Sequence, residues 1–177
     1  MSNNNDALEQ RLKSIEQRLQ VLDDQQAIIK LKAQYVNYND GGWEEQGPTH
    51  SYPDAVAEMF TDDAVWDGRP KTGYAEGKEA IRQLFNDFKI MPYIIHYVSN
   101  PLIEVDGDTA TGHWHALVTA TMPNLGQDGA NGQARWVFGM YKEEYLRTAD
   151  GWKIKKLRFE HASNTDYDKG WALEQFS

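Results

Sequence analysis

From Tyr93 to Ala162 the sequence reads as four β-like runs, of which Thr109–Met122 alternates apolar and polar residues at length, and the runs are separated where turn-forming residues cluster. A period of two marks strands that lay one face on a core. Tyr93–Val105 and Thr109–Met122 are joined by Asp106-Gly107-Asp108, and Ala134–Arg147 and Trp152–Ala162 by Ala149-Asp150-Gly151. Such short linkers favour hairpins, because glycine takes the positive φ that tight turns demand. A Gly- and Asn-rich loop, Pro123–Gln133, separates the two hairpins. The expectation is a long antiparallel meander. No strand-glycine-helix unit or phosphate loop accompanies it, which argues against a parallel nucleotide-binding sheet.

The residues before Tyr93 read as mostly helical. Leu8, Leu12, Ile15, Leu19 and Leu22 recur at alternating steps of four and three, with Glu9, Arg11, Lys13, Glu16, Gln17 and Arg18 on the other faces. This is a narrow heptad seam of the coiled-coil type. Gln26 interrupts it, and a second stripe begins at Ile28, Leu31, Tyr35 and Tyr38. One long helix is expected, its first half packed on a partner helix and its second half on its own domain. A solvated helix lying along its own domain is the plainer alternative for the first half. Asn39-Asp40-Gly41-Gly42 ends the helix, since paired glycines do not sustain one. Trp43 to about Pro53 reads as a loop and a candidate lid, with His50 and Tyr52 in it. Asp54–Phe60 reads as a short helix, Asp63–Asp67 as a strand, and Gly77–Phe88 as a helix with Ile81, Leu84, Phe85 and Phe88 on one face.

Helices followed by an antiparallel run define an α+β class. At 177 residues the chain suits one domain with an appendage. The divisions are an N-terminal helical extension (1–25), a central domain (26–165) and a C-terminal tail (166–177). The net charge of -9 is unsuited to a nucleic-acid surface, and Lys153, Lys155, Lys156 and Arg158 are too short a basic run to change this. The absence of cysteine removes disulfides and thiolate chemistry. No membrane span or secretory segment is expected, and the cytoplasm is the expected location.

Few residues remain to carry chemistry. His96 sits in an apolar run, Tyr-Ile-Ile-His-Tyr-Val, and by alternation shares a face with Ile94, Val98 and Asn100. A histidine held by a carboxylate can take a proton near neutral pH. A backbone carbonyl can equally satisfy a lone buried histidine, and Asn-Asp-Gly-Gly around Asp40 is ordinary helix-ending sequence. Tyr35 lies on the inward stripe, where packing is its default role, although its buried hydroxyl needs a partner. His113 and His115 share a face around Trp114 but fall short of a metal site without a third ligand from His50, His161 or a carboxylate, so no metal is expected. Tyr38, Trp66, Tyr93, Trp114, Trp136, Phe138 and Tyr141 are candidate cavity walls. Arg158, with Glu160, is a candidate polar contact at a cavity mouth, expected on the face of Trp152 and Ile154.

The ordered set "IIKLKAQYVNYND", "MFTDDAVWDG", "GKEAIRQLF", "HYVSNPLIEVDGDTATGHW" and "FGMYKEEYLRTADGWKIKKLRF" resembles the SnoaL-like domain of the nuclear-transport-factor-2-like superfamily over roughly Gln26 to Glu160. The likeness is nearest to the branch of scytalone dehydratase and bile acid 7α-dehydratase. It implies a cone of curved sheet closed by helices around a deep apolar cavity. It also implies that Tyr35, Asp40 and His96 stand where those dehydratases place their acting Tyr, Asp and His. A second acidic residue frequent in the family is replaced here by Gly-Gly-Trp and a longer loop. The implied activity is a lyase without a cofactor, dehydratase-like, acting on a small apolar or aromatic ring compound. Loss of formaldehyde from an aryl-propanediol, isomerisation or cyclisation would use the same pocket. A non-catalytic ligand-binding or structural subunit is the other class, and a homo-oligomer, dimer or trimer, is expected.

Overall fold

Helix α1 (Ser2–Asn39) leads into a short α2 (Pro53–Ala57), strands β1 (Phe60–Asp67) and β2 (Tyr74–Glu76), helix α3 (Lys78–Asp87) and a 3-10 turn at Phe88–Ile90. Four long strands follow: β3 (Tyr93–Asp106), β4 (Thr109–Met122), β5 (Gln133–Thr148) and β6 (Gly151–Asp166), before a one-turn α4 (Gly170–Leu173). The computed structural model describes residues 2–42, 51–123 and 132–176. The strands form one mixed sheet in the order β2-β1-β6-β5-β4-β3. The meander is antiparallel throughout, and β1 joins it by pairing in parallel with β6. Both expected hairpins form, with Asp106 opposite Thr109 and Thr148 opposite Gly151, and with Gly107 and Gly151 at positive φ. The α+β architecture is the expected one: a curved, unclosed sheet with helices on its concave side.

Three bulges interrupt the meander. The pairing skips Asn100 and Pro101 in β3, Lys155 in β6, and Ala162 further along β6. An extra residue bends its strand and reverses the in-out phase beyond it. Asn100, at φ 54, is therefore turned to the outer face, where its amide meets His115 at 3.2 Å, and it does not share the face of His96. Arg158 is likewise displaced from the face of Trp152 and Ile154. Beyond the Lys155 bulge it is Leu157 and Phe159 that are buried.

The concave face is filled by the second half of α1 and by α2 and α3. Ile28, Tyr35, Val56, Phe60, Ile81 and Phe85 are fully buried against Trp114, Tyr145, Ile154 and Leu157. Each such side chain contributes about 1.5–3 kcal/mol through removal from water. The inward stripe of α1 is not wholly apolar: Asp24, Lys32, Asn39 and Asp40 are buried with Ile28, Tyr35 and Val36. Asp24 clamps the helix to the sheet by accepting from both terminal nitrogens of Arg147 at 2.7 and 2.6 Å and from the Trp152 indole at 3.0 Å. N-terminal to that clamp, residues 5–23 are exposed along their whole length, heptad leucines included. Of the expected 43–53 loop, residues 43–50 with His50 lie outside the described residues. Ser51 and Tyr52 are tied back to Phe85 and Tyr38 by hydrogen bonds of 3.0 and 2.9 Å.

Candidate active site

Asp40 occupies the last turn of α1 because Gly41 and Gly42, both at φ 81, let the chain leave the helix there. The Gly42 amide caps the Asn37 carbonyl at 2.8 Å. The Asp40 carboxylate, 1% exposed, is thereby aimed at β3. One oxygen lies 2.6 Å from His96 Nδ1, and the other accepts the His96 backbone N–H at 3.1 Å. A carboxylate oxygen can only accept, so Nδ1 carries the ring proton and the lone pair falls on Nε2. Nε2 is 3.4 Å from the Asn39 amide nitrogen, and both residues line the same cavity. The two-point grip fixes both the tautomer and the angle of the ring.

That cavity, about 430 Å³, runs between the concave sheet and the helices. Its walls are chiefly apolar, with Trp66, Phe88, Ile94, Val118, Val137 and Phe159 prominent. Tyr35 and Tyr141 form its deep end, their rings edge to face with centroids 6.3 Å apart. The Tyr35 oxygen accepts the Trp66 indole N–H at 3.0 Å. Burial pushes the Tyr35 hydroxyl up from its ordinary range against the opposing Trp66 bond, and the negative charges of Glu143 and Asp40 add to the rise. Burial raises Tyr141 as well, with Tyr35, Glu143 and Asp40 contributing. Both phenols are therefore held as neutral hydrogen-bond donors.

Beneath these rings lies a buried ion pair that local sequence reasoning missed. Lys32 Nζ meets Glu143 at 2.5 Å, the two side chains being 1% and 0% exposed. The ammonium also sits 3.3 Å from the centre of the Tyr141 ring. Tyr145 donates to the second Glu143 oxygen, and the Trp114 indole donates to the Tyr145 oxygen at 3.1 Å. Burial pulls the Lys32 ammonium down from its usual value, and Glu143 opposes that pull. The one signal in sequence is spacing: Asp24, Ile28, Lys32, Val36 and Asp40 recur every four residues along one helix face.

The structure brings together His96, Asp40, Tyr35, Trp66 and Tyr141 of the expected site, and it places the others elsewhere. Tyr38 packs against Tyr52 on the far side of α1, in a shallow hollow with Ala27, Leu31 and Trp152. Tyr93 is turned outward, its hydroxyl 3.5 Å from Thr119. Trp136 and Phe138 stack on the outer face, with Tyr167 and Trp171 against them. Parity explains these three. The β4–β5 register is unbroken from Thr109 to Met122, so even-numbered Trp136 and Phe138 cannot share a face with Tyr141, nor Tyr93 with His96 on β3 before its bulge. Trp114 faces inward, but its indole is engaged in the core below the cavity. Arg158 is paired with Asp67 at 2.6 Å outside the cavity, the displaced phase of β6 having carried it there. His113 and His115 lie on the outer face opposite Trp114 and are exposed. Among the described residues, no group of three His, Asp or Glu side chains is placed to hold a metal. Arg135 and Asn164 line the cavity and were not anticipated, because polar residues in a strand read as solvent-facing.

A family model described as a SnoaL-like domain matches residues 20–158, and the chain belongs to that family. No curated protein matches it. Among solved structures, a Novosphingobium aromaticivorans protein named as a candidate aromatic ring hydroxylase is 28% identical, with a TM-score of 0.68 over 82% of this chain and 94% of its own. The hexachlorocyclohexane dehydrochlorinase of type 3 from Novosphingobium barchaimii is 24% identical, with a TM-score of 0.66 over 82% of this chain and 90% of its own. A candidate scytalone dehydratase from Novosphingobium aromaticivorans is 19% identical, with a TM-score of 0.66 over 82% of this chain and 89% of its own. The last two likenesses concern the fold. No helix among the described residues is long and apolar enough to cross a membrane.

Proposed function

We propose that this SnoaL-like chain is a cofactor-independent lyase that abstracts a proton from a small apolar or aromatic ring compound and expels a hydroxyl or similar leaving group. The observation that carries the reading is the Asp40–His96 contact of 2.6 Å, set in the wall of an apolar cavity. In the proposed reaction His96 Nε2 takes the proton from carbon. The C–H electron pair becomes the new double bond, and the leaving group departs with its own bonding pair. Asp40 stabilises the imidazolium that forms, at a site where low dielectric strengthens the attraction. Tyr35 accepts from Trp66 and keeps its own O–H to give to the departing oxygen. The names of two structural relatives denote eliminations, which supports the reaction class, and that of a third, an aromatic ring hydroxylase, supports only the ring-bearing substrate.

The test is conversion of a panel of hydroxylated and halogenated ring compounds, followed by proton NMR. The wild-type protein is expected to form an unsaturated product, and His96→Ala to lose about 10²–10⁴ in rate with unchanged circular dichroism and molecular mass. Conversion that survives His96→Ala would overturn the mechanism.

We also propose that residues 1–25 join copies of the chain. Leu8, Leu12, Ile15, Leu19 and Leu22 are 52–66% exposed and in heptad register, a row that a second helix of the same kind would cover.

A further inference from the structure

Proton abstraction leaves one wall of the cavity without a task. We infer that Asn164, held by Arg135, is a subsite for an oxyanion on the substrate, so that the compound bound is an apolar ring bearing a carboxylate or phenolate at the end away from the reacting carbon. The inference rests on the lyase reading for which carbon reacts, while the binding claim stands on the geometry of the wall.

The strand register sets the two poles. His96 pairs with Val118, Val118 with Val137, and Val137 with Asn164, which makes a single cross-strand row. Three strand spacings of about 4.8 Å separate the ends of that row along the sheet. The bend of the sheet brings the inward-pointing side chains nearer than the arc, leaving room between them for a ring and its substituents. Val118 and Val137 form the apolar floor between the poles.

The Asn164 amide is oriented by its neighbour. Arg135 Nε donates to Asn164 Oδ1 at 2.8 Å, and Nη2 reaches the Asn164 carbonyl at 3.4 Å. A guanidinium nitrogen only donates, so the atom facing it is the amide oxygen and the NH₂ points the other way. The Asn164 backbone N–H is spent on the Gln175 carbonyl at 3.0 Å, which holds this stretch of β6 in place. Asn164 is 7% exposed and lines the cavity, so its NH₂ is a pre-set donor in a nearly dry wall.

Charge favours an anion there. The Arg135 side chain is 11% exposed and lies 3.1 Å from Asp166, which also faces Lys169, itself paired with Glu174 at 2.6 Å. Lys71 lines the same cavity. Arg135 and Lys71 thus set two cationic side chains in the cavity wall of a chain whose net charge is -9. Arg135 polarises the Asn164 amide, and a donor so backed is stronger toward an oxyanion than toward a neutral oxygen. A ring without that oxygen leaves the NH₂ unsatisfied on binding, which is the basis of selectivity.

Calorimetric titration of the full chain with benzoate, 4-nitrophenolate at mildly alkaline pH, and neutral benzyl alcohol tests the inference. At least one anion is expected to bind about tenfold tighter than the alcohol, and the anion preferred tells carboxylate from phenolate. Asn164→Asp keeps an oxygen acceptor for Arg135 while turning the other end of the side chain into an anion repeller. It is expected to abolish the preference by weakening the anions far more than benzyl alcohol. Anions that bind no tighter than the alcohol, or a preference that survives Asn164→Asp, overturn the subsite. His96→Ala is expected to lose turnover and keep the anion preference. Selective anion binding by a wild-type protein that converts nothing would defeat the lyase reading alone, and conversion of neutral rings without anion preference would defeat the subsite alone.

Discussion

The two halves of α1 each carry an apolar stripe and meet opposite surroundings. Leu8, Leu12, Ile15, Leu19 and Leu22 stand in solvent, each more than half exposed, whereas Ile28 and Tyr35 on the same continuous helix are fully buried. The first stripe is a narrow seam bordered by charges. The second includes Asp24, Lys32, Asn39 and Asp40, polar side chains that the sheet satisfies one by one. Asp24 is the division between them. What a helix face does therefore depends on the surface opposite it, which the helix sequence specifies only in part.

The sharpest way to break the comparison lies at the buried end. Asp40→Asn keeps a carbonyl acceptor but withdraws the negative charge that supports the imidazolium, and turnover of any substrate found for the wild type is expected to fall about 10³-fold. The same variant is expected to keep its fold and mass. A rate within a few-fold of wild type would remove Asp40 from the mechanism.

Next in size is the Lys32–Glu143 pair. Lys32→Met leaves the Glu143 carboxylate buried without its cation and is expected to cost about 3–5 kcal/mol in urea denaturation. Replacing both residues by apolar ones of similar volume is expected to recover most of that loss. A single variant as stable as the parent would show that water reaches the pair.

Asp24 sharpens the boundary itself. The Arg147 hydrogen bonds, helped by Trp152 and Gln20, outweigh burial and hold its carboxyl down from 3.8 to about 2. The folded state thus binds the proton less tightly than the unfolded chain. The stabilisation is complete above pH 3.8 and disappears as pH falls toward about 2. Asp24→Asn is expected to lose about 2 kcal/mol near neutral pH and little at the acid end, read from denaturation midpoints across pH. An equal loss at both ends would mean that packing, and not charge, holds α1 there.

The smallest effect on the fold is expected at the exposed half. Leu12→Glu with Leu19→Glu is expected to change the unfolding free energy of the domain by less than about 0.5 kcal/mol, while light scattering shows the particle mass fall to that of one chain. A wild-type protein that is already monomeric would end the proposal of self-association.

Much of the fold was legible because its signals are local. The hairpins at Gly107 and Gly151, the helix stop at Gly41 and the long alternating runs need only neighbours in sequence to form. The three-residue β2 and the single turn of α4 were not legible, being too short to show a period. The site was legible in its two central residues, through the resemblance. Asp40 and His96 each have an ordinary structural explanation, and only their contact across the fold selects between explanations. Cavity walls were harder. Trp136, Phe138 and Tyr93 are aromatic and strand-borne like Tyr141, yet the parity of the strand register assigns them to the opposite face. Arg158 and Asn100 were beyond that rule, since the bulges that displace them answer to the curvature of the whole sheet.

By itself, then, the sequence determined the α+β order, the turns, the C-terminal end of α1 and the family, because periodicity and glycine geometry act within a few residues. Tertiary structure alone decided which polar residues of α1 lie in the dry interior, which face of each bulged strand lines the cavity, and that Arg135 and Asn164 stand across from His96. Those outcomes depend on pairing partners far away in the chain, and the cost of burying a charge is offset only once such a partner is in place.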